Sequence, residues 1–102
     1  MAKIKITNAN FKNEVLASDK PVLLDFWASW CAPCAMLGPV LSEFASAHPE
    51  IKVGKVNVDE EQELAMTHGV MSIPSLFVYK NGKIVRQTVG FQDRNRLEAL
   101  VR

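Results

Sequence analysis

The alternation of hydrophobic and polar residues predicts five β-strands and four helices, in the order β-α-β-α-β-α-β-β-α. The first strand alternates lysine with isoleucine, a pattern typical of an edge strand. The second is nearly all apolar without alternation, as expected of a strand buried on both faces, and residues 51–58 are predicted to form a second buried strand. The predicted strands cover residues 3–7, 22–27, 51–58, 75–80 and 83–89.

Helical spacing of apolar residues predicts the intervening helices, and polar residues mark their ends. Asp59, with Gln62 three residues later, predicts a capping box for the third helix, and Gly69 suits its C-terminal end. Asp93 is predicted to cap the last helix. Asn81-Gly82 is the favoured two-residue turn of a β-hairpin.

The order of these elements predicts an α/β fold. Strand–helix–strand units favour parallel pairing, whereas the hairpin adds antiparallel pairing. We therefore expect a mixed central sheet with helices on both faces. A chain of 102 residues is typical of one domain, here 1–102. Gly54, in the third strand, is expected to mark a local irregularity.

Composition narrows the possible partners and compartment. The chain is 48% hydrophobic with a net charge of +1, which argues against disorder and gives no basic patch for nucleic acid. The longest uncharged run, 26–42, contains two prolines and is a poor membrane span. The N-terminus lacks the apolar core of a signal peptide. We expect a cytoplasmic monomer without membrane association.

Both cysteines lie in Trp30-Cys31-Ala32-Pro33-Cys34, between a buried strand and a helix. The free N–H groups and dipole at the start of a helix favour a thiolate at Cys31, and a thiolate is the form that attacks disulfides. Cys31 is therefore predicted to be the exposed nucleophile. Cys34, one turn further and more buried, would resolve the mixed disulfide. Pro33 suits the first helical turn because it lacks an N–H.

Three other interpretations of the pair are less favoured. A zinc site would need His48 and His68, whose separation is too long for the usual ligand spacing. A structural disulfide closing so small a loop would restrict the unfolded chain little. An incidental pair of buried thiols leaves unexplained the exposed-looking Trp30 and Pro33. A Cys-x-x-Cys pair beside a βαβ pattern favours redox exchange.

Asp25 is an acid within an apolar strand, so burial should raise its pKa. Strand alternation would bring it behind the helix that carries Cys34, where it could take and return the Cys34 proton. Lys55 is a possible partner, directly or through water. The alternative is that Asp25 is solvated at a sheet edge or caps a loop. The residues alone predict a trans Ile73-Pro74 bond, since only about 5–6% of such bonds are cis.

Several segments together resemble the thioredoxin family. They are DFWASWCAPC at 25–34, VNVD at 56–59, IPS at 73–75 and KNG at 80–82, and the resemblance covers essentially the whole chain. It implies a five-stranded sheet flanked by four helices and a protein-disulfide reductase. It also implies recharging by a thioredoxin reductase that uses NADPH, with no cofactor or metal bound to this chain.

The resemblance also implies roles for the residues of the motif. Cys31 would be the nucleophile, Cys34 the resolving thiol and Asp25 the proton carrier. Ala32 and Pro33 would help to set the redox poise.

The resemblance further implies a substrate groove. The Ile73-Pro74 bond would be cis, and its loop would line a groove for an extended substrate segment with Trp30 and Gly90. Backbone pairing there would give a broad substrate range.

This chain departs from the family pattern at three places. Ala32-Pro33 replaces the typical Gly-Pro, Ala35 replaces a lysine, and Met71-Ser72 replaces a basic–glycine pair. Loss of a nearby cation should favour the Cys31 thiolate slightly less.

Two rival functions share this fold. One is a more oxidising disulfide oxidase or isomerase, against which the missing signal peptide argues. The other is an interaction module with redox-switched partner binding, whose apolar surface would be Trp30, Pro33, Ile73, Pro74 and Phe91. Retention of both cysteines favours a substrate groove.

Overall fold

Five strands form one mixed sheet in the computed structural model, which describes residues 3–102. They are β1 (Lys3–Lys5), β2 (Val22–Trp27), β3 (Lys52–Asn57), β4 (Ser75–Lys80) and β5 (Lys83–Val89). Their order across the sheet is β1-β3-β2-β4-β5. β1, β3 and β2 are parallel, whereas β4 is antiparallel to both β2 and β5. The predicted α/β class and the edge position of β1 are confirmed.

Helical segments cover both faces of the sheet. They are a short π-helical segment (Lys12–Leu16), α1 (Ala32–Ala47), α2 (Gln62–Thr67) and α3 (Arg94–Val101). None of the helices in residues 3–102 has the length and apolar character to cross a membrane. On one face, α1 and α3 pack on the sheet through buried apolar residues: Leu23, Leu37, Leu41, Phe44, Val53, Leu76, Val78 and Leu97. The π-helical segment and α2 cover the other face with Val15 and Leu64.

The start of α2 differs from the prediction. Its N-cap is Glu61, whose side chain makes no capping hydrogen bond, so the predicted pairing of Asp59 with Gln62 is wrong. Instead, Asn57 Oδ1 accepts hydrogen bonds from the N–H groups of Asp59 (2.9 Å) and Glu60 (3.3 Å). The short side chain of Asn57, at the end of β3, thus forms an Asx turn with the following backbone, and this turn orders the connection to α2.

Gly54 does not interrupt β3, which pairs with β2 in continuous register. The expected irregularity is wrong. A Cβ atom at Gly54 would lie 2.7 Å from Ile6 Cγ1 and 3.2 Å from Leu24 Cδ1. Glycine is needed here because the side chain of Ile6 packs directly against the strand backbone. The register shift in the sheet lies between Val78 and Tyr79 instead.

The predicted hairpin turn, the glycine after α2 and the cap of α3 are confirmed. Asn81 and Gly82 both have positive φ (53° and 78°), as the tight hairpin turn requires. Gly69 follows α2 with a φ of 65°. Asp93 accepts a 2.9 Å hydrogen bond from the Arg96 N–H and so caps α3.

Candidate active site

The cysteine pair lies where the central strand passes into the longest helix. Cys31 is the N-cap residue of α1 and has an extended backbone conformation, with φ −97° and ψ 112°. Cys34 lies in the first helical turn, and a disulfide joins the two residues, whose Cα atoms are 5.2 Å apart. Pro33 is in the same turn, as predicted. The chain therefore holds both sulfurs at the positive end of the helix dipole.

Two backbone groups contact the sulfur of Cys31. The Cys34 N–H donates a hydrogen bond to Cys31 Sγ at 3.2 Å, in the way that an oxygen cap would accept one. The carbonyl oxygen of Ile73 lies 3.8 Å from the same sulfur. A negative charge on Cys31 would thus meet an N–H donor that has no partner within the helix.

Neither cysteine is well exposed. Cys31 is 6% exposed and Cys34 is 4% exposed. Cys34 is the more buried of the two, as predicted. The expectation that Cys31 is exposed is wrong for the disulfide form. Trp27, Val58 and Ile73 pack against the pair and cover it. These three side chains therefore restrict access to the sulfurs in the disulfide form.

Asp25 is buried in the middle of the sheet, with 1% of its surface exposed. Neither carboxyl oxygen has a hydrogen-bond partner among residues 3–102. Burial raises the pKa of Asp25 to about 7, and the positive charges of Lys55 and then Lys3 oppose that rise. The alternatives, solvation at an edge and capping of a loop, are excluded because β2 is the central strand.

Asp25 faces the helix that carries Cys34. Leu23, two residues earlier in β2, packs with Leu37 and Leu41 of α1. Alternate residues of a strand share a face, so the carboxyl of Asp25 is directed toward α1 as well. The carboxyl of Asp25 therefore lies on the same side of the sheet as α1, the helix that carries Cys34.

Lys55 is the residue of β3 opposite Asp25. Its Nζ lies 4.4 Å from the centroid of the Trp27 ring, a cation–π contact. Because both Asp25 oxygens lack partners, a direct Asp25–Lys55 hydrogen bond is absent among the described residues, and the predicted direct partnership is wrong. The Lys55 side chain lies over the neighbouring indole, and its positive charge lowers the pKa of Asp25.

Trp30 and the loop before β4 form a groove beside the disulfide. Trp30 is 70% exposed, and its Nε1 donates a 2.8 Å hydrogen bond to Asp59 Oδ2, which fixes the ring. The groove has a volume of about 420 Å³. It is lined by Trp30, Val58, Ala65, Val70, Met71, Ser72 and Ile73.

The Ile73-Pro74 bond is cis, which corrects the trans expectation from the residues alone and agrees with the family resemblance. The carbonyl of Pro74 accepts a 2.8 Å hydrogen bond from the Gly90 N–H. Gly90 has a φ of 96°, a conformation that favours glycine. Pro74 is buried and Ile73 is half-buried, so Ile73 is the part of this pair that a partner can reach.

Sequence reasoning missed Lys3. The Nζ of Lys3 donates a 3.2 Å hydrogen bond to the carbonyl oxygen of Gly38, which joins β1 to α1. The alternating Lys-Ile-Lys pattern was a signal that Lys3 lies on the face opposite the side chain of Ile4. The position of β1 beside β3 was not readable from that pattern.

The two histidines lie away from the cysteines. His48 contacts Glu98 through Nε2 (2.6 Å), and His68 contacts the hydroxyl of Tyr79 through Nε2 (2.6 Å). Within residues 3–102, no group of three or more His, Cys, Asp or Glu side chains is arranged to hold a metal ion.

Comparison with known proteins gives consistent matches. The family model described as Thioredoxin matches residues 2–102. The thioredoxin of Alicyclobacillus acidocaldarius subsp. acidocaldarius is 50% identical, over 96% of this chain and 93% of the relative. Thioredoxin 1 of Nostoc sp. is 49% identical over 87% of this chain and 84% of its own length. The thioredoxin of Mycobacterium tuberculosis is 45% identical over 94% and 84%.

Proposed function

Because this chain belongs to the thioredoxin family and is a dithiol–disulfide oxidoreductase, we propose that Cys31 is its attacking thiol and Cys34 its resolving thiol. Its substrates are disulfide-containing proteins, and a thioredoxin reductase returns the pair to the dithiol form. NADPH enters only through that reductase. The observation that carries the assignment of roles is the position of Cys31 at the N-cap of α1, with the Cys34 N–H donating to its sulfur.

The first step is attack on a substrate disulfide. The Cys31 thiolate, stabilised by the helix N-terminus, forms a bond to one substrate sulfur, and the substrate disulfide breaks. The other substrate sulfur leaves as a thiolate and takes a proton from water. The product is a mixed disulfide between Cys31 and the substrate.

The second step is resolution by Cys34. Asp25 accepts the Cys34 proton, and the resulting thiolate attacks Cys31 Sγ and releases the reduced substrate. An acid with a pKa of about 7 is ionised in roughly half of the molecules at neutral pH, so it can both accept and return a proton. The product is the Cys31–Cys34 disulfide seen in the structure.

Ala32, Pro33 and Lys55 are proposed to tune this chemistry. Ala32 and Pro33 are exposed between the two cysteines, so they set the geometry of the turn without covering the sulfurs. Lys55 adds a positive charge beside Asp25 and favours the carboxylate.

Trp30, Ile73, Pro74 and Gly90 are proposed to bind the substrate segment. The backbone of Ile73 lies next to Cys31 Sγ, and the Pro74–Gly90 hydrogen bond supports that loop from behind. An extended segment that pairs with this backbone would be held without strong selection for its side chains. The whole chain, 1–102, is proposed to act as one domain, a cytoplasmic monomer that needs neither a membrane nor nucleic acid.

A coupled assay tests the roles of the cysteines. The protein is mixed with NADPH, a thioredoxin reductase and a disulfide substrate such as insulin, and NADPH oxidation is followed. Steady oxidation that is lost in Cys31→Ser is expected. Wild-type turnover in Cys31→Ser would refute the assignment.

Resolution kinetics test the role of Asp25. Asp25→Ala should slow the breakdown of the mixed disulfide near neutral pH while leaving attack by Cys31 largely unchanged. Asp19→Ala is the matched control, because Asp19 is exposed. Wild-type rates for both steps in Asp25→Ala would show that Asp25 is not the proton carrier.

A further inference from the structure

Lys3 and Asp25 lie on the same face of the sheet in neighbouring rows. Lys3 of β1 stands beside Val53 of β3, which in turn stands beside Leu23 of β2. The next row on this face contains Lys5, Lys55 and Asp25. Val53 and Leu23 pack against α1, so the side chain of Lys3 leaves the strand toward α1 as well.

A hydrogen bond fixes the end of the Lys3 side chain. Its Nζ donates to the carbonyl oxygen of Gly38 at 3.2 Å, a partly buried contact between β1 and the first half of α1. Residues 32–42 of α1 contain no Lys, Arg, Asp or Glu. Lys3 therefore brings a positive charge to a stretch of helix that supplies no charge itself.

Lys3 and Lys55 line one cavity of about 380 Å³ at the β1 edge of the sheet. A third lysine of this cavity, Lys5, is exposed to solvent and lies 3.4 Å from Glu60. Among residues 3–102, neither Lys3 nor Lys55 forms a salt bridge. Glu60 also lines this cavity but pairs with Lys5, so the charges of Lys3 and Lys55 are left without a direct ion pair on the face of the sheet that carries Asp25.

We propose that Lys3 is a positioning residue for the proton step of Asp25. Its ammonium group, tethered to α1 through Gly38, supplies the second positive charge beside the buried carboxyl and keeps part of it ionised at neutral pH. This role rests on the proposed function of Asp25 and extends it to β1. Lys3 does not touch the reacting sulfurs, and it acts only through the ionisation of Asp25.

The electrostatics of the described residues support this role. Lys55 lowers the pKa of Asp25 and Lys3 lowers it further, against the larger effect of burial. In return, Asp25 raises the pKa of Lys3, which burial and Lys55 lower. Of the other neighbouring elements, β4 contributes the uncharged Leu76, and α1 contributes Cys34, which is in the disulfide. Lys5 and Glu60, which pair with each other, complete the charged groups on this side of the sheet. Removal of the Lys3 charge should therefore move the ionisation of Asp25 to higher pH.

The test measures the resolution of a preformed mixed disulfide as a function of pH in Lys3→Met. The midpoint of the pH profile should move upward by about half a pH unit, the size expected for one charge acting across a partly solvated cavity. Lys3→Arg should restore the wild-type midpoint, because it keeps the charge. Lys5→Met is the matched control and should leave the midpoint unchanged, because Lys5 is exposed and paired with Glu60.

Direct titration of the Asp25 carboxyl by ¹³C NMR separates the charge effect from a structural one. The pH midpoint of the Asp25 carboxyl should move upward in Lys3→Met and return to the wild-type value in Lys3→Arg.

A loss of stability in Lys3→Met with an unchanged Asp25 midpoint would overturn the proposal. Asp25→Asn separates an error in the role of Lys3 from an error in the role of Asp25. If it removes the pH dependence of resolution while Lys3→Met does not shift it, only the role of Lys3 is wrong. If Asp25→Asn keeps the wild-type profile, the role of Asp25 is wrong and that of Lys3 falls with it.

Discussion

The buried carboxyl of Asp25 should make the protein less stable as the pH rises, and Asp25→Asn should remove that dependence. The native carboxyl ionises at about pH 7, whereas in the unfolded chain it would ionise near its ordinary value of 3.8. Between these two values the native state retains a proton that the unfolded state has released. The free energy of unfolding therefore falls with rising pH across this window and levels off above it.

The size of the effect follows from the difference between the two pKa values. A difference of about three units corresponds to about 4 kcal/mol, since each unit contributes 1.36 kcal/mol. This is a large fraction of the roughly 5–15 kcal/mol by which a domain is usually stable. The structural cause is that the carboxyl is 1% exposed and has no hydrogen-bond donor among residues 3–102.

Urea unfolding of the oxidised proteins between pH 4 and pH 9 measures this effect. The wild type should lose stability across the window, and the amide in Asp25→Asn, which does not titrate, should give a flatter curve. The advantage of the variant should thus grow with pH. Asp19→Asn, at an exposed acid, should follow the wild-type curve. Parallel curves for wild type and Asp25→Asn would show that the carboxyl ionises at its ordinary pKa in the folded protein.

Two further substitutions test other parts of the fold. The ring N–H groups of protonated His48 donate hydrogen bonds to Glu98 and Glu50, which raises the pKa of His48. This pairing stabilises the fold fully below about pH 6.5, and the contribution is lost as the pH rises through the higher folded pKa, so His48→Gln should be destabilised at low pH only. Urea midpoints that differ from wild type by the same amount at pH 5.5 and pH 9 would contradict this. Gly54→Ala should lower the free energy of unfolding by about 1–3 kcal/mol, because the new Cβ would lie 2.7 Å from Ile6 Cγ1. Equal unfolding midpoints for Gly54→Ala and wild type would show that the neighbouring side chain yields freely.

The strands, the hairpin turn, the start of α3 and the cysteine pair could be predicted because their causes are local. The nearly all-apolar run of β2 was predicted at the same bounds, Val22–Trp27, that the structure shows. The hairpin turn follows from the backbone freedom of Asn81-Gly82, and the α3 cap follows from the short carboxylate of Asp93. Cys31 at a strand–helix junction was likewise readable from the change in periodicity around it.

Other features depend on contacts between distant segments. The bend of Lys55 over Trp27 arises because two strands stand in one particular register. The hydrogen bond from Lys3 to Gly38 needs β1 to reach the helix across the sheet edge. Neither the strand register nor the position of β1 relative to α1 can be predicted from the spacing and types of the residues.

The burial of Cys31 was also missed for a physical reason. The position of a residue at a helix N-terminus predicts its electrostatic environment, but not what the rest of the chain places above it. Ile73 and Val58, which come from separate connections, close over the disulfide. Likewise, the side chain of Asn57, and not that of Asp59, accepts hydrogen bonds from the backbone before α2. Propensity alone does not rank two such neighbouring residues.

The assignment of Cys31 as the attacking thiol is the central claim, and trapping of the mixed disulfide tests it most directly. Reduced Cys34→Ser and reduced Cys31→Ser are each mixed with a disulfide-containing protein, quenched by alkylation and analysed by mass spectrometry without reductant. Cys34→Ser should accumulate a covalent adduct through Cys31, because the resolving thiol is absent, whereas Cys31→Ser should form little adduct. Rapid formation of an adduct through Cys34 in Cys31→Ser, with none in Cys34→Ser, would contradict the account.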